Sequence, residues 1–141
     1  MQRMYMQVEG LDAIMKRLRE LEVDTKSAVN KALIETHKIV TDKAEAAIKP
    51  HRRTGRTEAS LRREAVPEWI GDVASIQVGF DLDNGGLPSI FLMYGTPHIK
   101  PDKTLHNAFF GKDTIEEIKK AQEAALYAAI RAGEEMNELF G

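Results

Sequence analysis

Leu11, Ile14, Met15, Leu18 and Leu21 recur at spacings of three and four residues, which places them on one face of a helix. Gly10 before them and Val23-Asp24 after them mark its expected limits. A second helix is expected from Asp24, whose carboxylate suits the free N–H groups of a helix start. Val29, Ala32, Leu33, Thr36, Ile39, Val40, Ala44, Ala47 and Ile48 keep the helical period as far as Lys49. Pro50 ends it, because proline disfavours helical geometry at the residue before it. Lys16, Arg17, Lys31, Lys38, Glu35 and Asp42 fall mainly on the outer, solvated face, and His37 reads as a partly exposed helical histidine.

The period then changes. His51 to Ala59 is polar and has no apolar face to bury, so it reads as a loop. Leu61 to Val66 is a candidate first strand, and Pro67 with Gly71-Asp72 bounds a turn carrying Trp69 and Ile70. Ala74, Ile76, Val78 and Phe80 alternate with Ser75, Gln77 and Gly79, the period-two signature of a strand with one buried face. Asp81 to Gly86 is an acidic turn whose Asn-Gly-Gly run favours positive φ. Ile90 to Tyr94 is continuously apolar, either strand or short helix, and Gly95-Thr96-Pro97 ends it; His98 to Lys100 is a further strand candidate.

Asp113-Thr114 followed by Glu116 and Glu117 has the form of a capping box at the head of a last helix. Ile115, Ile118, Ala121, Ala125, Ala129, Ile130 and Met136 form its narrow, alanine-rich stripe. The expected fold class is therefore α+β, with N-terminal helices and a C-terminal helix packed on a small antiparallel sheet. The expectation is one domain over 1–141, helical over 10–49, a basic loop at 50–60, β-rich over 61–100 and helical again over 114–139.

Composition adds exclusions. The chain has 141 residues and no cysteine, which removes disulfides, thiolate metal sites and thiol nucleophiles. No apolar run approaches the roughly 18 residues of a membrane span. Met1 to Gly10 lacks the basic-then-apolar order of a signal peptide, so synthesis and residence in the cytoplasm are expected. The net charge of −2 is unevenly spread: Lys49, Arg52, Arg53, Arg56, Arg62 and Arg63 stand against Glu58 alone, a net of +5 over residues 49–63. A solvated loop, a protein interface and a nucleic-acid contact all suit that segment, since guanidinium groups pair with carboxylates and phosphates alike. Aromatic residues for base stacking are absent from it.

Catalytic patterns are weak. His98, Asp102 and His106 are conceivable metal ligands, but their spacing matches no tight ligand pattern. Ser60 and Ser89 have no nucleophile-elbow glycines around them. Asn84-Gly85-Gly86 lacks the Lys-Ser/Thr that completes a phosphate-binding loop. No catalytic residue, cofactor or metal is expected.

A particular order of short motifs is informative. Val8-Glu9-Gly10-Leu11-Asp12-Ala13-Ile14 opens a helical stretch to Ala32-Leu33; Pro50, Thr54-Gly55 and Ser60-Leu61 follow. Then come Val78-Gly79 and Phe91-Leu92-Met93-Tyr94-Gly95-Thr96, with Pro97 next. Over residues 8–110 this order resembles the minor tail-completion and neck (head–tail joining) proteins of long-tailed bacteriophages and prophages. Four features depart from that pattern: His51-Arg52-Arg53 lies between Pro50 and Thr54, Arg56-Thr57-Glu58-Ala59 precedes Ser60, Met93 stands where an acid is common, and Ala108-Phe109-Phe110 only echoes the closing signature.

The resemblance implies a non-enzymatic virion component, made in the host cytoplasm and placed in the tail or neck. It further implies contacts with other tail or connector proteins and self-association in a ring, with no membrane partner. A head-to-tail ring needs two different complementary patches on one subunit, and the +5 segment in a −7 remainder supplies them. The expected contact residues are Lys49, Arg52, Arg53, Arg56, Arg62 and Arg63, then Tyr94, Gly95 and Thr96. Thr54-Gly55 and Gly95-Thr96 read equally well as turn residues. The alternative reading is a small nucleic-acid-binding accessory protein that uses the arginine-rich segment.

Overall fold

The computed structural model describes residues 2–5, 12–21, 24–51, 55–71 and 73–140, with side chains from residue 16 to 139. Strand β1 is Gln2–Tyr5 and helix α1 is Asp12–Glu20; the expected limits of α1 at Gly10 and Val23 lie outside the described residues. Helix α2, Thr25–Ile48, begins where the sequence indicates, with the Asp24 carboxylate accepting from the Ser27 N–H at 3.2 Å.

Helix α2 is the central element of the packing. Helix α6 lies along it, while α5 and β3 also pack on it. Its buried set runs Ala28, Val29, Ala32, Leu33, Thr36, His37, Val40, Thr41, Ala44, Ala47 and Ile48, a stripe wide enough to face two layers. The polar members are hydrogen-bonded, except that the buried His37 Nε2 has no partner among the described residues. Thr36 donates to the Ala32 carbonyl at 2.9 Å and accepts from the Gln122 amide at 3.0 Å. His37 is 3% exposed, not partly exposed as expected, and its Nδ1 lies 3.2 Å from the Thr41 hydroxyl. Pro50 does not stop the chain abruptly: Lys49 keeps helical geometry at ψ −44° and Lys49–His51 forms a 3-10 turn. The disfavoured pre-proline conformation is tolerated because the Lys49 N–H still bonds the Glu45 carbonyl.

The segment expected as loop contains a short helix α3, Arg56–Ala59, entered through Gly55 at φ +81°. Strands β2 (Glu68–Ile70) and β3 (Val73–Val78) form a hairpin, so Trp69 and Ile70 belong to a strand and not to a turn. The sheet is antiparallel in the order β1-β3-β2. The clearest strand of the sequence is thus the central one, and Ser75 is buried along with Ala74, Ile76 and Val78. The expected strand Leu61–Val66 does not form. Leu61 makes one isolated bridge to Phe80, the Arg62 N–H reaches the Gly79 carbonyl at 2.9 Å, and the segment then continues unpaired to Pro67.

Ile90–Tyr94 resolves as helix: α4 spans Pro88–Tyr94, with proline at the position where its missing N–H costs nothing. His98–Lys100 is not a strand either. Thr96 and Ile99 close a tight turn that contains Pro97 and is followed by Pro101, and neither proline has an N–H to give a ladder. Helix α5, Lys103–Phe110, was not expected; Asp102 caps it by accepting from the Leu105 N–H at 3.1 Å.

Helix α6, Lys112–Phe140, starts two residues before Thr114. Thr114 is therefore inside the helix, where its hydroxyl donates to the Asn107 carbonyl of α5 at 2.7 Å instead of forming a capping box. Ile118, Leu126 and Ile130 are its buried apolar anchors, whereas Ile115 and Met136 point outward. The result is a helix-rich α+β fold, with the long helices and the antiparallel sheet packed together. Among the described residues no helix is long and apolar enough to cross a membrane.

Candidate interaction surface

The basic segment divides in two. Arg62 and Arg63 follow α3 and are engaged within the chain: Arg63 Nη1 donates to Glu45 Oε2 at 2.9 Å, and Arg62 Nη2 lies 3.8 Å from Asp81 Oδ2. The hydrogen bond from Arg63, and its charge, hold the Glu45 carboxyl below its usual value. Asp81 is also held low, first by the Asn84 amide and among lesser causes by Arg62. These two arginines border an open groove of about 650 Å³ that also carries Glu64, Glu68 and Asp81. Its charge is mixed, and a phosphate entering it would meet carboxylates.

Lys49 and Arg56 are exposed, one in the 3-10 turn after α2 and the other at the start of α3, where Arg56 lines the same groove as Arg62 and Arg63. Arg52, Arg53 and Thr54 lie outside the described residues.

Helix α4 forms the second part of the surface. Leu87, Phe91 and Tyr94 are spaced four and three residues apart, and Leu87 already has helical backbone angles, so all three share a face. They are exposed by 50%, 47% and 56% respectively. The Tyr94 ring meets His106 edge-on at 5.8 Å, and His106 lies 5.2 Å from Phe110, which is itself exposed. An aromatic strip therefore runs from α4 onto α5. Gly95 ends α4 at φ +77° and passes its N–H to the Phe91 carbonyl at 2.8 Å. Thr96 pairs with Ile99. Both are turn residues that fix where Tyr94 stands.

Between the two parts lies a largely apolar cleft of about 500 Å³, walled by Ile48 and Pro50 on one side and Phe91, Leu92 and Ile99 on the other, with Glu58 also lining it. His51 stands on its wall, hydrogen-bonded through Nε2 to Asp102. Burial alone would raise the Asp102 carboxyl, but the His51 bond, the Leu105 and Thr104 N–H groups and the His51 charge outweigh it and hold the group low. The pair ties the end of α2 to the start of α5. The structure thus brings Pro50, His51 and Thr57 against α4, while Arg56, Arg62 and Arg63 share a separate groove.

Leu87, Phe91 and Phe110 were missed by the sequence reading. The spacing from Leu87 to Tyr94 carried the signal, but it was hidden because the segment read equally well as a strand. The metal candidates have other employment: Asp102 caps α5 and holds His51, and His106 stacks between Tyr94 and Phe110. Among the described residues no group of three or more His, Asp or Glu side chains could hold a metal ion. The hydroxyls of Ser60 and Ser89 donate to the Thr57 and Gly86 carbonyls, each at 2.6 Å. No protein-family model, no curated protein and no solved structure matches this chain.

Proposed function

We propose that this chain is a non-enzymatic structural protein of a phage or prophage tail, completing the tail or joining it to the head through ring-forming protein–protein contacts. The observation that carries the reading is the exposed Leu87–Phe91–Tyr94 face beside a cleft walled by Ile48, Pro50, Leu92 and Ile99. An exposed apolar centre rich in aromatic side chains is the composition of a protein interface core. The motif order over residues 8–110 supports the same reading. Other tail or connector proteins, and further copies of this chain, are the proposed partners, in the virion and in the host cytoplasm during assembly.

Particles made without the protein test it. Filled heads and finished tails that fail to join support a neck role; overlong or unfinished tails support a role in ending the tail. Normal, infectious particles overturn both.

The nucleic-acid reading stays second, favoured by the local +5 charge. It predicts retention of duplex DNA that falls steeply with salt. The carboxylates bound to Arg62 and Arg63 weaken it, because they already occupy two of the cations.

A further inference from the structure

We propose that the strip from Tyr94 on α4 to Phe110 on α5, with Lys103 and Lys100 at its margin, docks an acidic amphipathic helix of a partner protein. The inference deepens the proposed function by naming the partner's chemistry, and it rests on the reading of this surface as a protein interface.

The apolar part of the strip is held rigidly. Tyr94 and Phe110 are exposed, and the half-buried His106 ring bridges them, 5.8 Å from one and 5.2 Å from the other. The Asp102 N–H donates to the Leu92 carbonyl at 2.6 Å, so the head of α5 is fastened to α4. Leu87 and Phe91 continue the exposed apolar face along α4. Exposed apolar area of this kind marks a contact site.

The charge at its margin has one sign. Lys103, His106 and Phe110 are three and four residues apart, so the lysine shares the α5 face that carries the two rings. Lys100 is exposed in the turn that joins α4 to α5. Among the described residues neither lysine has a hydrogen bond or an ion pair, whereas Arg62 and Arg63 are already engaged. Between Gly86 and Lys112 the chain has three lysines and one carboxylate, a local +2 in a protein of net −2. That carboxylate, Asp102, is committed to His51 and to the cap of α5. Glu58 lines the cleft that Phe91 borders, so a partner's carboxylates fit the α5 half of the strip and not the cleft.

A helix whose apolar face lies across the rings covers them, and carboxylates at the border of that face meet Lys103 and Lys100. Burial of the rings supplies the affinity, and the lysines choose the sign of the partner. Single-stranded nucleic acid also favours aromatics beside cations, but it fits less well here. The Tyr94 and His106 planes stand 82° apart, which gives successive bases no run of parallel faces to stack on.

Fluorescence anisotropy on the full chain tests this with three labelled probes. The first is a peptide of about 16 residues, long enough to form a helix, with leucine on one face and glutamate on the other. The second has lysine in place of glutamate, and the third is single-stranded oligothymidine. The expected result is saturable binding of the glutamate peptide that weakens as salt rises, with the other two at least about tenfold weaker. Tyr94→Ala with Phe110→Ala should weaken the glutamate peptide by about tenfold or more. Lys100→Glu with Lys103→Glu should reverse the preference, so that the lysine peptide binds more tightly. Lys103 is the first residue of α5, where a carboxylate suits the helix start, and an unchanged thermal midpoint confirms that this variant folds. Equal binding of the two peptides, tighter binding of oligothymidine, or an unreversed preference in the lysine variant overturns the proposal. Full binding by the variant without Tyr94 and Phe110 overturns it too, as does a chain that self-associates through these rings and leaves the glutamate peptide unbound. Binding of the glutamate peptide by a protein whose loss leaves particles normal keeps the docking surface and removes the tail reading. Defective particles from a protein that does not distinguish the peptides do the reverse.

Discussion

The indole N–H of Trp69 donates to the side-chain oxygen of Asn30 at 2.8 Å, joining strand β2 to helix α2. The Lys26 ammonium lies 5.2 Å from the centre of the same ring, within the range of a cation–π contact. β2 has only three residues, too few to hold its place by ladder bonds alone. Asn30→Ala is therefore expected to cost about 1 kcal/mol, the usual worth of one such hydrogen bond. Trp69 is the single tryptophan, so its emission reports the change directly: a shift to the red in the native state, with a lower urea midpoint.

The second prediction concerns pH. Burial pushes the His37 pKa below its ordinary 6.5, so the folded chain keeps the ring neutral where the unfolded chain takes up a proton. The unfolded state then binds more protons, and stability falls as pH drops through about 6.5. The loss continues down to the depressed folded value and stops there. Urea midpoints measured between about pH 8 and pH 5 should show this slope, and His37→Gln should flatten it. The carboxyls of Glu45, Asp81 and Asp102 are shifted down as well. Their stabilisation is complete above their ordinary values and is lost only in stronger acid, which separates the two windows.

Asp102 has two separable tasks, capping α5 and holding His51. Asp102→Asn keeps a good cap and loses the charge facing the imidazole, whereas Asp102→Ala loses both. The alanine variant should be less stable than the asparagine variant by about 1 kcal/mol, the cost of an absent cap. Equal thermal midpoints for the two variants would show that the cap contributes nothing.

Gly95 is the point where the turn reading of Gly95-Thr96 can be tested. At φ +77°, a Cβ on this residue would lie 2.8 Å from the Ile99 carbonyl oxygen and 2.9 Å from the Pro101 ring. Gly95→Ala should cost about 1–3 kcal/mol for the backbone strain, with more from the contact, and should displace Tyr94. Thr96→Ala should be far milder. A destabilised Gly95 variant with unchanged thermal midpoint in Thr96→Ala assigns the pair its positioning role.

A last comparison uses α6. Leu126 is fully buried and Ile115 is 54% exposed, although periodicity alone put Ile115 on the core stripe and passed over Leu126. Leu126→Ala should cost about 2–5 kcal/mol, and Ile115→Ala within about 0.5 kcal/mol of nothing.

What the residues disclose in order depends on whether a local rule decides the outcome. Asp24 marks the start of α2 and the alternation from Ala74 to Phe80 marks β3, because capping and pleat act through near neighbours. Helix α5 was hidden: Asp102 is as good a cap as Asp24, but directly after Pro97 and Pro101 it read as loop chemistry. Ile90–Tyr94 was ambiguous because a continuous apolar run fits either period. Leu61–Val66 failed as a strand because only Leu61 and Arg62 find backbone partners, beside Phe80 and Gly79, and among the described residues no strand pairs with the rest. The candidate surface was half legible. Charge counting located Lys49 and Arg56, but only the folded chain shows that Glu45 and Asp81 hold Arg63 and Arg62, and that α4 lies across the cleft.

Helix α6 has one mechanical consequence. Its 29 residues make a rod of about 43 Å at the usual rise, laid along α2 and tied through Thr114 to α5. A load applied at its last turns travels along its axis, so rupture requires sliding two long helices past one another and not unzipping the hairpin. The sheet, with its three-residue edge, would be left out of the path of tension.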